Sequence, residues 1–106
     1  GGGQIDMFDE PVLAYRLVCD GNAPLTNRFV TTRARHECDI CAGAIARGQR
    51  VRAESRRSPD GQTIEQRRVC PLCCTAIHAF MTRGDLEAIN ERHALGLARR
   101  REDAQA

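Results

Sequence analysis

The 106-residue chain predicts a small α+β domain in which a knuckle, a β-hairpin and a helix follow one another, preceded by a strand region and followed by a second helix. Three observations carry this expectation. Two Cys-x-x-Cys pairs, Cys38/Cys41 and Cys70/Cys73, are separated by 28 residues. Between them the sequence alternates with the period of a strand and is interrupted once by a turn tetrapeptide. Directly after the second pair the apolar spacing changes to that of a helix.

Residues 1–11 read as a flexible tail. The three leading glycines are set aside as an appended sequence, and Gln4 to Pro11 carries three acids around Met7 and Phe8, a composition that leaves a terminus mobile unless it docks. Residues 12–83 form the expected domain. Val12 to Cys19 reads as a strand with Leu13, Tyr15, Leu17 and Cys19 on one face, Cys19 in the core, and a stop at Asp20-Gly21-Asn22. Phe29 to Arg35 is the next candidate strand; the connection through Pro24 is too long for a tight hairpin, so their pairing stays open. Val51, Ala53 and Ser55 then alternate with Arg52, Glu54 and Arg56. Ser58-Pro59-Asp60-Gly61 places Pro and Gly where a type I turn takes them, and Thr63 to Val69 returns as the partner strand. Pro71 suits a first helical position, and Leu72, Cys73, Ala76, Ile77 and Phe80 make an apolar stripe ending near Arg83-Gly84. In residues 84–106, Asp85 caps a second helix running to about Arg101, with Leu86, Ile89, His93 and Leu97 on one side.

The cysteines point to a metal. No export signal is evident at the start, so the expected compartment is the reducing cytoplasm, where paired Cys-x-x-Cys spacings favour metal over disulfides. Two pairs supply the four thiolates of a closed, structural Zn²⁺ site, Cys38, Cys41, Cys70 and Cys73, and the hairpin folds back to bring them together. Gly43 marks a tight curl after the first pair. The second pair sits at a helix start, where the dipole and free amides favour thiolate. Cys74 competes with Cys73 as fourth ligand, and with His78, four residues on, it offers an alternative or second site; its other role is that of a small buried apolar group. His36 is expected to support or shield the site, and His93 to be hydrogen-bonded at an interface.

Knuckle, hairpin, then a helix whose first turn carries the second ligand pair: over about residues 34–83 this order resembles the treble-clef class of zinc fingers. It is similar in particular to small zinc proteins of bacteriophages and bacterial mobile elements, in which Cys-x-x-Cys followed by residues such as Ile45 and Gly48 opens the finger. The resemblance implies a bacterial host cell if the protein is phage-encoded. It leaves function open, because treble clefs serve ribosomal, transcriptional and nuclease proteins alike. A His-Asn-His nuclease needs a catalytic histidine between the ligand pairs, and the hairpin has none. Paired carboxylates in a supporting context, a phosphate loop and a nucleophile elbow are also missing, so no enzymatic activity is expected.

All sixteen basic residues are arginine, a bias that genome composition explains and that also suits forked contacts to phosphate. The net charge of +2 is too small to indicate nucleic acid by itself. The hairpin is the exception. Arg47, Arg50, Arg52, Arg56, Arg57, Arg67 and Arg68 face only Glu54, Asp60 and Glu65, a local surplus of four positive charges. Alternation puts Arg52 and Arg56 opposite the Val51 face, from which forks would project toward an anionic partner, unless the face is merely solvated. Two functions follow as expectations: a nucleic-acid-associated regulator or accessory factor working through these arginines, or a protein-binding inhibitor or adaptor that occupies a host protein. The last helix is a candidate homodimer surface through Leu86, Ile89 and Leu97. No run approaches the ~18 apolar residues of a membrane span, so no membrane partner is expected.

Overall fold

A computed structural model describes residues 7–18 and 23–105, the side chain of Gln105 excepted. The expected turn at Asp20-Gly21-Asn22 and the core role of Cys19 lie outside the described residues. The chain runs α1 (Asp9–Ala14), β1 (Thr26–Thr31), β2 (His36–Glu37), β3 (Ala44–Ile45), β4 (Arg50–Arg57), β5 (Ile64–Val69), α2 (Pro71–Arg83) and α3 (Leu86–Gln105). An antiparallel sheet has the order β1-β4-β5, and β2 and β3 form a separate two-stranded ribbon. Val12, Ile40, Ile45, Val51, Val69, Ile77 and Ile89 fill a core to which five cysteines also belong.

The predicted hairpin is present as β4 and β5. Gly61 N donates to Ser58 O at 2.9 Å across the turn, while the Asp60 carboxylate accepts from Gln62 N and Ser58 Oγ. These two bonds hold Asp60 below the usual carboxylate range, the serine first. The predicted helix after the second cysteine pair is α2, closed by Gly84 in the left-handed conformation (φ 69°), where its N–H reaches Phe80 O. Asp85 Oδ1 accepts from Ala88 N and opens α3, which runs to Gln105, past the expected end at Arg101.

The first strand was the wrong element. Asp9–Ala14 is helical, and the expected tail therefore gives up at least residues 9–11 to the fold. The alternation of Leu13, Tyr15 and Leu17 is outweighed by Asp9 and Glu10, which sit in the first turn where acids suit the dipole, and by Pro11, tolerated there. A six-residue helix is marginal alone. Tertiary contacts fix this one. Asp9 takes both Arg50 Nη atoms, at 2.9 and 2.5 Å, and the last carbonyls of α1 accept from Arg52 and Asn27. Nor does Phe29 to Arg35 form the second strand as bounded: β1 starts at Thr26, stops at Thr31 and pairs with β4.

The same contacts overturn the expected arginine face. Arg52, 1% exposed, and Arg56, 6%, point into the protein. Glu54 lies between them on the strand's inward side and accepts from Arg56 Nε at 2.9 Å and Arg52 Nη2 at 3.5 Å. Arg52 also donates to Asn27 Oδ1 and Val12 O. Burial lowers the Arg52 pKa and Glu54 pulls it back up. Alternation had sorted the residues onto two faces correctly, but it carries no information about which face the helices cover. Arg50 is engaged by Asp9 and lies 4.2 Å over the Phe29 ring, and Arg67 is shared between Asp39 and Glu65.

Removing one member of a buried ion network strands the others. Glu54→Ala is expected to cost about 3 kcal/mol or more in urea unfolding, and Arg52→Met/Glu54→Leu to recover part of that loss.

Candidate metal centre

The first ligand pair is held by the β2–β3 ribbon, which pairs His36 with Ile45 and Glu37 with Ala44 and so brackets residues 38–43. Within that bracket Cys38 N donates to Gly43 O at 2.9 Å and Ala42 N to Cys38 O at 3.0 Å, giving a closed knuckle. The left-handed residue is Ala42 (φ 57°), where the sequence placed the curl at Gly43. Gly43 leaves room for the Arg99 side chain instead. A Cβ there would stand 2.8 Å from Arg99 Nη1 and 3.2 Å from Cys41 Sγ.

The second pair is built into the start of α2. Cys70 is its N-cap and Pro71 occupies the first turn, so Cys73 N is free to donate to Cys70 Sγ at 3.4 Å. Cys70 N in turn donates to Cys38 Sγ at 3.3 Å. The pairs Cys38–Cys73 and Cys41–Cys70 both stand 3.7 Å apart at sulfur, and all four sulfurs lie within 4.8 Å of one another. Four sulfurs each ~2.3 Å from a tetrahedral ion are ~3.8 Å apart. The four buried cysteines are positioned to bind one metal ion. Hydrogen bonds from Cys38 and then Cys73 lower the pKa of the Cys70 thiol, while those to Cys38 and Cys70 raise that of Cys73, so the buried thiols share their protons until a metal displaces them.

Cys73 belongs to the cluster and Cys74 does not. The Cys74 thiol turns to Val69 O at 3.5 Å, and burial pushes it up to about 11, as suits a small apolar core group. His78 stacks on Phe8 with centroids 4.8 Å apart, so the alternative Cys74/His78 site is not assembled. Among the described residues the four-cysteine set is the one such cluster. His93 bonds Tyr15 Oη at 3.3 Å, which makes it an internal contact, and His36 lies on β2 beside the knuckle.

No protein-family model, curated protein or solved structure matches this chain. The site's own chemistry has to carry its reading.

Sequence reasoning missed the third support of the site, the inner face of α3. Ile89, Arg92, Gly96 and Arg99 recur at helical spacing; Gly96 and Arg99 lie against the knuckle and Arg92 against Cys73, so the expected stripe is split: Ile89 is buried, while Leu86 and Leu97 are more than half exposed. Arg92 Nε donates to Cys73 Sγ at 3.3 Å, and this bond raises the Arg92 pKa. Arg99 Nη1 donates to Cys41 O at 3.0 Å and Arg100 Nη2 to Asp39 O at 2.6 Å. Arg99, Arg100 and Arg101 stand together near the end expected for this helix. The helix continues, and two of the three arginines fasten it to the metal loop. Gly96 makes the approach feasible, because a Cβ there would fall 1.9 Å from Ile40 O.

Two outcomes follow from this packing. Gly96→Ala is expected to lift α3 off the knuckle, destabilising the fold by about 1–3 kcal/mol and raising hydrogen exchange along α3 in particular. Arg92→Ala, which removes a charged donor to a ligating sulfur, is expected to weaken metal affinity by roughly 10–100-fold in a competitive chelator titration.

Proposed function

We propose that the chain is a small non-catalytic zinc protein of treble-clef type, whose single structural zinc stabilises a scaffold that associates with nucleic acid as a regulator or accessory factor. The observation that carries this is the closed ligand set. Four buried cysteines leave no fourth position for water or substrate, unlike the three-ligand sites that activate water. All-sulfur ligation at tetrahedral spacing favours zinc among common cellular cations, and a reducing cytoplasm keeps the thiols available to it. The order β2–knuckle–β3, hairpin, α2, with the second pair at the first turn of α2, supports the treble-clef assignment. Arginines outside the buried ladder, among them Arg47 and Arg57, support an anionic partner.

A second reading has its own observation: Leu72, Leu86 and Leu97 on α2 and α3 are 67%, 54% and 59% exposed. Such leucines suit a protein partner or a second copy of the chain, as an inhibitor or adaptor of phage or mobile-element origin would require. On either reading, no helix among the described residues is long and apolar enough to cross a membrane.

Metal analysis of the purified protein is expected to give one zinc per chain, retained in Cys74→Ser and lost together with the fold in Cys38→Ser. Stoichiometric zinc in Cys38→Ser would sink the ligand assignment. A pulldown from lysate, with and without nuclease, separates the two functions: partners that disappear on treatment favour nucleic acid, and partners that persist favour direct protein binding.

A further inference from the structure

Strand register divides the sheet's charges unequally between its two faces. Toward α1 and α2 point Asn27, Phe29 and Thr31 of β1, Arg52, Glu54 and Arg56 of β4, and Glu65, Arg67 and Val69 of β5, so both glutamates of these strands lie on this side. The opposite face is made of four cross-strand rows, of which Val30 with Val51, buried at one end, is apolar. Arg28, Ala53 and Arg68 form the next, Thr26, Ser55 and Gln66 the third, and Arg57 with Ile64 the last. None of these positions is acidic. The nearest carboxylate in register, Glu54, is held on the far side by Arg56 and Arg52.

We propose that this acid-free face is the surface that binds the phosphodiester backbone of duplex nucleic acid; the assignment deepens the nucleic-acid reading above and rests on it. Arg28 and Arg68 stand on either side of Ala53, two strand spacings or ~10 Å apart, above a small side chain that leaves the floor low. A groove of ≈ 320 Å³ runs here, with Arg28, Ala53, Ser55, Gln66 and Arg68 among its lining residues; Glu54 also borders it, its carboxylate turned to Arg56 and Arg52 on the far side. Arg28 is exposed, and Gln66 Oε1 receives Arg68 Nη2 at 2.9 Å, which steadies one fork at the rim. Thr26 Oγ1 and Ser55 Oγ, 2.5 Å apart, add hydroxyl donors in the neighbouring row. The face has no aromatic ring: Phe29 points to the other side of the sheet. Single strands bound without sequence preference are stacked on aromatics, so this surface suits a duplex held by its phosphates. The partner surface thus contains Arg28, which the hairpin pattern did not include, and excludes Arg52 and Arg56.

The test is fluorescence anisotropy of a labelled duplex of about 20 base pairs and arbitrary sequence, titrated with the zinc-loaded full chain between 50 and 200 mM salt. Affinity is expected to fall with salt. Arg28→Ala/Arg68→Ala, with its zinc content unchanged, is expected to bind at least ~10-fold more weakly at 50 mM and to flatten the log–log salt slope by ~1.8, about 0.9 for each lost contact. Arg28→Gln/Arg68→Gln should behave alike, which guards against a packing effect of alanine. If this pair binds as wild type does while Arg47→Ala/Arg50→Ala loses binding, the face is wrong although the nucleic-acid reading stands. If wild type binds no duplex even at 50 mM, both fall. Polyglutamate competing as well as duplex, charge for charge, would overturn the proposal in favour of an acidic protein partner.

Discussion

Four thiolates around one divalent ion leave two surplus negative charges in a buried place, and most of what surrounds the knuckle offsets them. Two backbone N–H groups at the start of α2 donate to sulfur, from Cys73 to Cys70 and from Cys70 to Cys38. The positive end of the α2 dipole points the same way. Arg92 brings a full charge to Cys73, and Arg99 and Arg100, bound to knuckle carbonyls, add more nearby. Electrostatics therefore adds to the apolar contacts that Ala88, Ile89 and Leu95 make in packing α3 here. α3 is held by charge and by the absence of a side chain at Gly96, with Ile89 as its one fully buried anchor.

A second set of buried charges organises the sheet and α1. Arg52 draws α1 onto the sheet by bonding its terminal carbonyls, and the single Glu54 carboxylate is shared between Arg52 and Arg56. Such networks contribute little net stability against an apolar replacement, but they are unforgiving of partial loss. They also decide which arginines stay at the surface. Charge counted along the chain overstated the basic hairpin, because part of it is consumed in making the fold.

What could be read in advance was local. The ligand spacing, the Ser58–Gly61 turn, the alternation of β4 and the Pro71 and Gly84 boundaries of α2 are written in adjacent residues, and each is present. The misses depended on distant contacts. α1 is helical because Arg52 and Asn27, far along the chain, receive its carbonyls, and the register of β1 with β4 has no signature in either strand. Two signals were nonetheless available. Arg52-x-Glu54-x-Arg56 places opposite charges on one strand face, which is the pattern of an internal ladder. A glycine inside a helical run, Gly96, flanked at helical spacing by Arg92 and Arg99, marks close backbone approach. Ala42 in a left-handed conformation had no sequence mark at all.

The metal centre and the basic face are linked through β5. Asp39, inside the first Cys-x-x-Cys, donates its backbone N–H to Arg68 O at 2.7 Å, and β5 ends at Val69, immediately before the ligand Cys70. Two successive residues of this strand are thereby tied to the knuckle, one by hydrogen bond and the next by chain continuity into a ligand. β5 has only β4 as a sheet neighbour, so the knuckle supplies the support that another strand would give its outer edge. Arg68 takes its position on the outer face from this arrangement. Although the cysteines and the basic face are separate in chemistry, ordering the knuckle around an ion also orders the strand that carries one of the two arginines flanking Ala53. A structural metal can thus fix the distance between two surface charges without touching either.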